Sequence, residues 1–140
     1  MLNAVLFDMD GVIVDTEPLH HKAYYQLFDS IGVEVSDELY QSCTGQSTIN
    51  VCKKIKEHFG IKLPAKELAE TKQANFKQLF ANDDSLQLLD GVLELIQDYH
   101  KNGLTLILAS SASHNTINNV FSRFDLDQYF KAKISGSDFE

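Results

Sequence analysis

"VLFDMDGVIVD", Val5 to Asp15, sets an unbroken apolar run directly against Asp8, Asp10 and Asp15, with Glu17 just beyond. A short, wholly apolar run ending in charge, here Ala4 to Asp8, reads as a strand covered on both faces in a parallel sheet. Residues two apart on an extended chain point the same way, so Asp8 and Asp10 present their carboxylates toward one point, and Gly11 then lets the backbone turn. Two adjacent carboxylates repel, which favours a bound divalent cation or a shared proton. Hard oxygen ligands of this kind suit Mg²⁺, which keeps several waters and takes one or two carboxylates from the protein.

Three simpler readings compete. Asp10-Gly11 is a common hairpin turn, but turn chemistry does not account for Asp8. A calcium loop of the EF-hand type also starts Asp-x-Asp, yet it requires Gly at its sixth position and Glu at its twelfth. Here Gly11 is fourth and the twelfth residue is Leu19, so that reading fails. The third is a solvated acidic strand end, which sits poorly with so apolar a run before it.

Working outward, "LTLILAS" (Leu104 to Ser110) repeats the design of the first strand and again ends in small polar residues. A third, weaker strand is "AKISG" (Ala132 to Gly136), after the helix-like "HNTINNVFSRF". Before the second strand, Val92, Leu95, Ile96 and Tyr99 are spaced for one face of a helix that stops at Gly103. Strands alternating with helices imply an α/β layer architecture with right-handed crossovers, whose active groups gather at the carboxyl ends of the strands. Asp8 and Ser110 both sit at such ends.

Between them, Pro18 to about Leu86 reads as nearly all helix. "PLHHKAYYQLFDSIG" opens on Pro in a first turn and closes at Gly32, "STINVCKKIKEHFG" is capped by Ser47 or Thr48 and closes at Gly60, and a third helix runs from Pro64. Roughly seventy residues is far more than the dozen or so a crossover needs. The segment is therefore expected to be a separate small lobe over the strand ends, which divides the chain into a core of 1–15 with 88–140 and a helical insert of 16–87.

The 140 residues fit a single compact domain with an inserted lobe. Twelve basic against twenty acidic residues leave a formal charge of -8, which would repel nucleic-acid phosphates and anionic lipid alike. No basic leader precedes an apolar stretch and Asp8 interrupts the first apolar run, so the expectation is no signal peptide, no membrane span and residence in the cytoplasm. Cys43 and Cys52 have no partner Cys or His at metal spacing and read as two reduced thiols.

"FDMDGV" resembles the first motif of the haloacid dehalogenase superfamily, hhhhDxDG(V/T), and "LILASSAS" resembles the second, an apolar strand ending in Ser or Thr. The helical insert and its linker "DTEPLH" are similar to the cap of the branch that includes β-phosphoglucomutase and the sugar-phosphate phosphatases. The resemblance implies a Rossmann-like parallel sheet core with an inserted helical cap domain. It also implies that Asp8 attacks phosphorus and becomes an aspartyl phosphate, while Asp10 protonates the leaving oxygen and then activates water. Mg²⁺ would be held by the Asp8 side chain and the Asp10 backbone carbonyl. Ser110, which directly follows the apolar run, would hydrogen-bond a phosphoryl oxygen, with its neighbour Ser111 a close rival one residue of register away and Gly11 at the same phosphate site; a Ser capping the next helix is the competing reading for either. Glu17 and His20 in the linker, and Thr48 in the cap, become substrate-side candidates, though an ordinary helix-surface role fits at least one of His20 and His21.

Mutase-like members of the branch carry an Arg where this chain has Thr48, and loss of that bidentate clamp favours a phosphatase of small phosphorylated metabolites, sugar phosphates first, over a phosphosugar mutase. The family's third motif, a Lys, and its fourth, an acidic pair, lie beyond the third strand and are not found before Glu140; Lys131 and Lys133 precede them. That departure leaves the sheet core incomplete at its C-terminus. It is expected of a piece of a longer protein of roughly 210 to 230 residues, or else of a non-catalytic binding module. In the family's strand order it also leaves the first strand as an open edge, available for self-association.

Overall fold

The computed structural model describes residues 3–139. In chain order the elements are β1 (Ala4–Phe7), α1 (Glu17–Ser30), α2 (Asp37–Gln41), α3 (Thr48–Phe59), α4 (Ala65–Asn82), α5 (Val92–Lys101), β2 (Thr105–Ser110), α6 (His114–Phe124), β3 (Phe130–Ser135) and a 3₁₀ turn (Gly136–Phe139). They form two compact units, Met1–Glu17 with Ser85–Glu140, and Pro18–Asp84. Thr16 belongs with the sheet because it is fully buried against Asp10.

In the first unit the three strands are parallel in the order β1-β2-β3, the middle strand being the second in sequence. Phe7 pairs with Leu108, and Leu108 with Lys133. Neighbouring partners in a parallel sheet share a face, so Val5, Phe7, Leu106, Leu108 and Ser110 lie on one side and Leu6, Ile107, Ala109, Ala132 and Ile134 on the other. The first side is the core. Phe7 meets Tyr99 of α5 at 6.2 Å between ring centroids and Phe130 at 5.7 Å, and Phe121 of α6 meets Phe130 at 5.0 Å. Leu106, Leu108, Ile96, Ile117, Val120 and Phe121 are all buried there.

β1 was expected to be covered on both faces, and the structure corrects this. Leu6 is 66% exposed, Ala4 is exposed, and Ile134 on the same side of β3 is 37% exposed. The physical reason is topological: two successive strand-helix-strand connections of the same hand lay both α5 and α6 on one side of the sheet. β1 is also an edge strand of the described sheet.

The second unit is helical. α1 buries Leu19, Ala23, Tyr24, Leu27 and Phe28, α3 buries Val51, Cys52 and Ile55, and α4 buries Leu68, Ala69, Lys72, Phe76 and Phe80. These are the three- and four-residue spacings of one helix face, and each large side chain so buried contributes about 1.5–3 kcal/mol. Ser47, not Thr48, caps α3 by accepting the Asn50 amide, and Gly60 ends it at φ 65°. α2 has no counterpart in the sequence reading. It is one short turn of helix capped by Ser36, whose Oγ accepts the Leu39 amide at 3.1 Å; five residues are too few to show a periodicity. Cys43 and Cys52 are free and buried in this core, as expected, and burial pushes the Cys52 thiol up to about 11. Among the described residues, no helix is long and apolar enough to cross a membrane.

Candidate active site

The alternation of β1 continues past its last ladder pair. Phe7 is buried, Asp8 exposed, Met9 fully buried and Asp10 half-buried. Met9 therefore anchors the turn from below, while the two acids flank it. Its carbonyl accepts the amides of Val12, Ile13 and Val14 at 3.3, 2.8 and 3.2 Å, and the Gly11 amide donates to the Val14 carbonyl at 2.9 Å. That closed turn puts Gly11 at φ 77°, a conformation that disfavours any side chain. Ile13 and Val14 then tie down the returning strand-like segment: the Leu89 amide donates to the Ile13 carbonyl at 2.9 Å, and Val14 bridges Leu88.

Asp8 Oδ1 accepts the amide of Met9 at 2.7 Å, which fixes the carboxylate while leaving the residue exposed. Asp10 is held differently. The Thr16 hydroxyl donates to Asp10 Oδ1, and Thr16 is itself wholly buried. Thr16 is a residue that the sequence reading missed; a Thr within reach of the second acid, followed at once by an acidic helix start, was the available signal. Asp15 Oδ1 accepts the Glu17 amide at 3.2 Å at the opening of α1, and Glu17 is exposed.

At the same end of the sheet, β2 finishes with Ser110 and Ser111, and the structure separates the two. Ser110 faces the core at 9% exposure, pairs with Ser135, and its Oγ accepts the Ala112 amide at 3.1 Å. Ser111 is exposed. Neither caps the following helix: Ser113 does, accepting the Thr116 amide. The competing reading of these two residues as a helix cap therefore passes to a third serine.

The donor set suits a hard divalent cation in kind, since Asp8 and Asp10 offer oxygen only and Mg²⁺ accepts as few as one or two protein carboxylates. Among the described residues no group of three or more His, Cys, Asp or Glu comes together.

In the helical unit the structure brings His20 to a residue that the sequence reading passed over. Lys72 is 3% exposed, its ammonium donates to His20 Nδ1 at 2.8 Å, and it stands 4.6 Å from the Tyr24 ring centroid. His20 stacks on Phe76 at 4.3 Å. Burial, and then the neighbouring Lys72 ammonium, push the His20 pKa down to about 3, so its ring is neutral near pH 7. Lys72 was legible in principle, because it falls between Leu68 and Phe76 on the apolar stripe of α4. His21 is exposed and stacks on Tyr25 at 4.4 Å, the surface role expected of one of the pair. Thr48 is half-buried in the first turn of α3.

Residues 5–140 match the haloacid dehalogenase-like hydrolases, and the chain belongs to that family. It is 28% identical over 96% of its length to a phosphorylated carbohydrates phosphatase from Thermotoga maritima, covering 62% of that protein. It is likewise 28% identical to hexitol phosphatase B of Escherichia coli, across 94% of this chain and 60% of the relative. A β-phosphoglucomutase from Clostridium difficile superposes with a TM-score of 0.81 at 28% identity, covering 95% of this chain and 61% of that one. The fold is thus the α/β Rossmann-like core with a helical cap that the motifs implied. The chain spans less than two thirds of the length of these relatives.

Proposed function

We propose that this chain carries the nucleophile, the acid-base residue and the phosphoryl-contacting loop of a phosphatase for small phosphorylated carbohydrates. The observation that carries the reading is the exposed Asp8 at the end of β1, two residues before an acid whose orientation is held by a buried hydroxyl. The relatives named as carbohydrate and hexitol phosphatases support the substrate class.

In this reading a free Asp8 carboxylate oxygen attacks phosphorus as the ester P–O bond breaks, giving an aspartyl phosphate. Asp10 gives its proton to the departing alkoxide oxygen. It then takes a proton from water, whose oxygen attacks the same phosphorus and returns Asp8 as a carboxylate with inorganic phosphate released. The Thr16 hydrogen bond orients the Asp10 carboxyl for this transfer. Ser110, whose Oγ only accepts the Ala112 amide and so keeps its hydrogen to give, or the exposed Ser111 donates to a phosphoryl oxygen, with Gly11 allowing close approach of the turn. The Asp8 side chain and the Asp10 backbone carbonyl would hold Mg²⁺, which when bound offsets the repulsion between carboxylate and phosphate. Glu17, His20 and Thr48 remain substrate-side proposals, of which His20 acts through its neighbours because its Nδ1 is already engaged by Lys72. Cytoplasmic residence and self-association through the β1 edge are part of the same proposal.

The test is phosphate release from a panel of phosphate esters with Mg²⁺ present, Asp8→Asn beside the wild type. Equal release by both would sink the mechanism; a response to added sugar bisphosphate with little free phosphate would point to the mutase instead.

A further inference from the structure

The loop between α2 and α3, residues 42–47, takes no part in the chemistry at Asp8. Thr44, Gly45 and Gln46 are exposed at its tip, and it hands the chain on to Thr48 at the start of α3. Gly45 turns the tip at φ 83°, where a side chain would be strained. Two anchors hold the loop from below. Cys43 is 5% exposed in the helical core, and its Sγ lies 3.5 Å from the Leu39 carbonyl oxygen. The second anchor comes from α3 itself: Lys54 Nζ donates to Ser42 Oγ at 2.8 Å and to the Ser42 carbonyl at 3.4 Å. Gln46 Nε2 donates to that same carbonyl at 3.4 Å, and the Gln46 amide to the Cys43 carbonyl at 3.1 Å. Ser42 Oγ gives its own hydrogen to the Leu39 carbonyl at 2.6 Å. The end of α2, the Gln46 side chain and the middle of α3 thus meet at one serine.

From this we propose that Lys54 is a positioning residue for carbohydrate recognition: it fixes the 42–47 loop so that Thr44 and Gln46 stand beside Thr48 to hydrogen-bond a substrate's hydroxyl groups. The inference rests on the reading of Thr48 as substrate-side. The chemistry of the loop fits an uncharged polyol, because Thr44, Gln46 and Thr48 offer neutral donors and acceptors. The Gln46 bond to Ser42 uses one N–H, which leaves the amide oxygen and the second N–H to address a hydroxyl. The simpler role for Lys54 is that of a surface cation satisfying the carbonyl end of α2. That helix, however, has five residues and buries none of them fully, so packing alone holds its end weakly. Cys43 by itself would let the loop pivot about one buried point. A second tie, to the helix that also carries Thr48, removes that freedom, and a bond from a charged donor is about twice as strong as a neutral one.

The experiment is a ³¹P NMR titration of the 140-residue chain, with Mg²⁺ present, using glucitol 6-phosphate and, separately, inorganic phosphate. The proteins compared are wild type, Lys54→Met, Lys54→Arg, Gln46→Ala and Thr48→Ala. Inorganic phosphate has no carbohydrate part for the loop to touch, so the two ligands separate recognition from general damage. Expected is an affinity for glucitol 6-phosphate about three- to tenfold lower in Lys54→Met and Gln46→Ala, the worth of one hydrogen bond, with inorganic phosphate bound as by the wild type. Lys54→Arg keeps a cationic donor and should restore most of the loss. If Lys54→Met binds glucitol 6-phosphate like the wild type while Gln46→Ala or Thr48→Ala does not, the positioning role is overturned and the loop contact stands. Equal weakening of both ligands by Lys54→Met overturns it as well. If none of the loop variants changes either affinity, the reading of Thr48 falls and this inference with it, while the chemistry at Asp8 is untouched. A wild type that binds neither ligand removes the proposed function itself. Should Lys54→Met fold poorly, Lys54→Gln, whose side chain is shorter than lysine's, takes its place.

Discussion

Asp8 and Lys72 are both single charges set beside an apolar core, yet the two units treat them in opposite ways. Asp8 emerges at the end of a strand whose last ladder residue is buried, keeps one local hydrogen bond to the next amide, and stays exposed. Lys72 sits in the middle of a helix face between Leu68 and Phe76, is almost completely buried, and is satisfied by a histidine held neutral and by aromatic faces. A strand end aims a side chain outward while the ladder behind it stays rigid. A helix stripe turns every third or fourth residue inward whatever its chemistry, so a charge placed there must find its partners inside. The first arrangement leaves a group free to react, and the second locks one into the fold.

That contrast can be broken most sharply at Asp8. Asp8→Asn retains the acceptor for the Met9 amide, so the urea midpoint should hold while phosphate release falls at least about a thousandfold; a large loss of stability would show Asp8 to be structural after all. The mirror experiment is Lys72→Ala, which leaves His20 Nδ1 without its donor and opens a cavity among Tyr24 and Phe76. It should cost about 2–4 kcal/mol in urea unfolding, and a cost near zero would mean that the buried pair is dispensable.

Next comes acid. The folded His20 ring resists protonation down to about 3, whereas in the unfolded chain it takes up a proton near 6.5. The stabilisation is therefore complete above pH 6.5 and is lost as pH falls from there toward 3. From pH 7 to 5 the wild type should lose about 2 kcal/mol more than a His20→Asn variant, measured as unfolding free energy; parallel curves for the two proteins would deny that His20 is buried and neutral. The smallest effect belongs to Thr16→Val, which removes the donor to Asp10 at constant shape and should cost about 1 kcal/mol, with phosphate release impaired more than stability.

Much of this was legible along the chain. The β1 run and its acids, the second strand from Leu104, the helix over 114–124 and the capping of α3 all announce themselves through local patterns, because apolar periodicity, caps and glycines act within a few residues. α2 did not, being shorter than any period. Lys72 was hidden by the habit of reading Lys as a surface residue, although its place on the Leu68–Phe76 stripe showed the inward face. The site divides the same way. Asp8, Asp10, Gly11 and the Ser110-Ser111 pair could be picked out by type and position, but the choice between the serines could not, since one residue of register exchanges core for surface.

By itself, then, the sequence determined the elements other than α2, their order and the acids at the end of the first strand, since each depends on neighbours close along the chain. Only the tertiary structure decided that α5 and α6 share one side of the sheet and leave Leu6 open, that Thr16 holds Asp10, that His20 is locked to Lys72, and that Lys54 ties Ser42 to α3. Those facts join residues distant in sequence, and such pairings are set by strand order, the hand of the crossovers and packing, which no local pattern encodes.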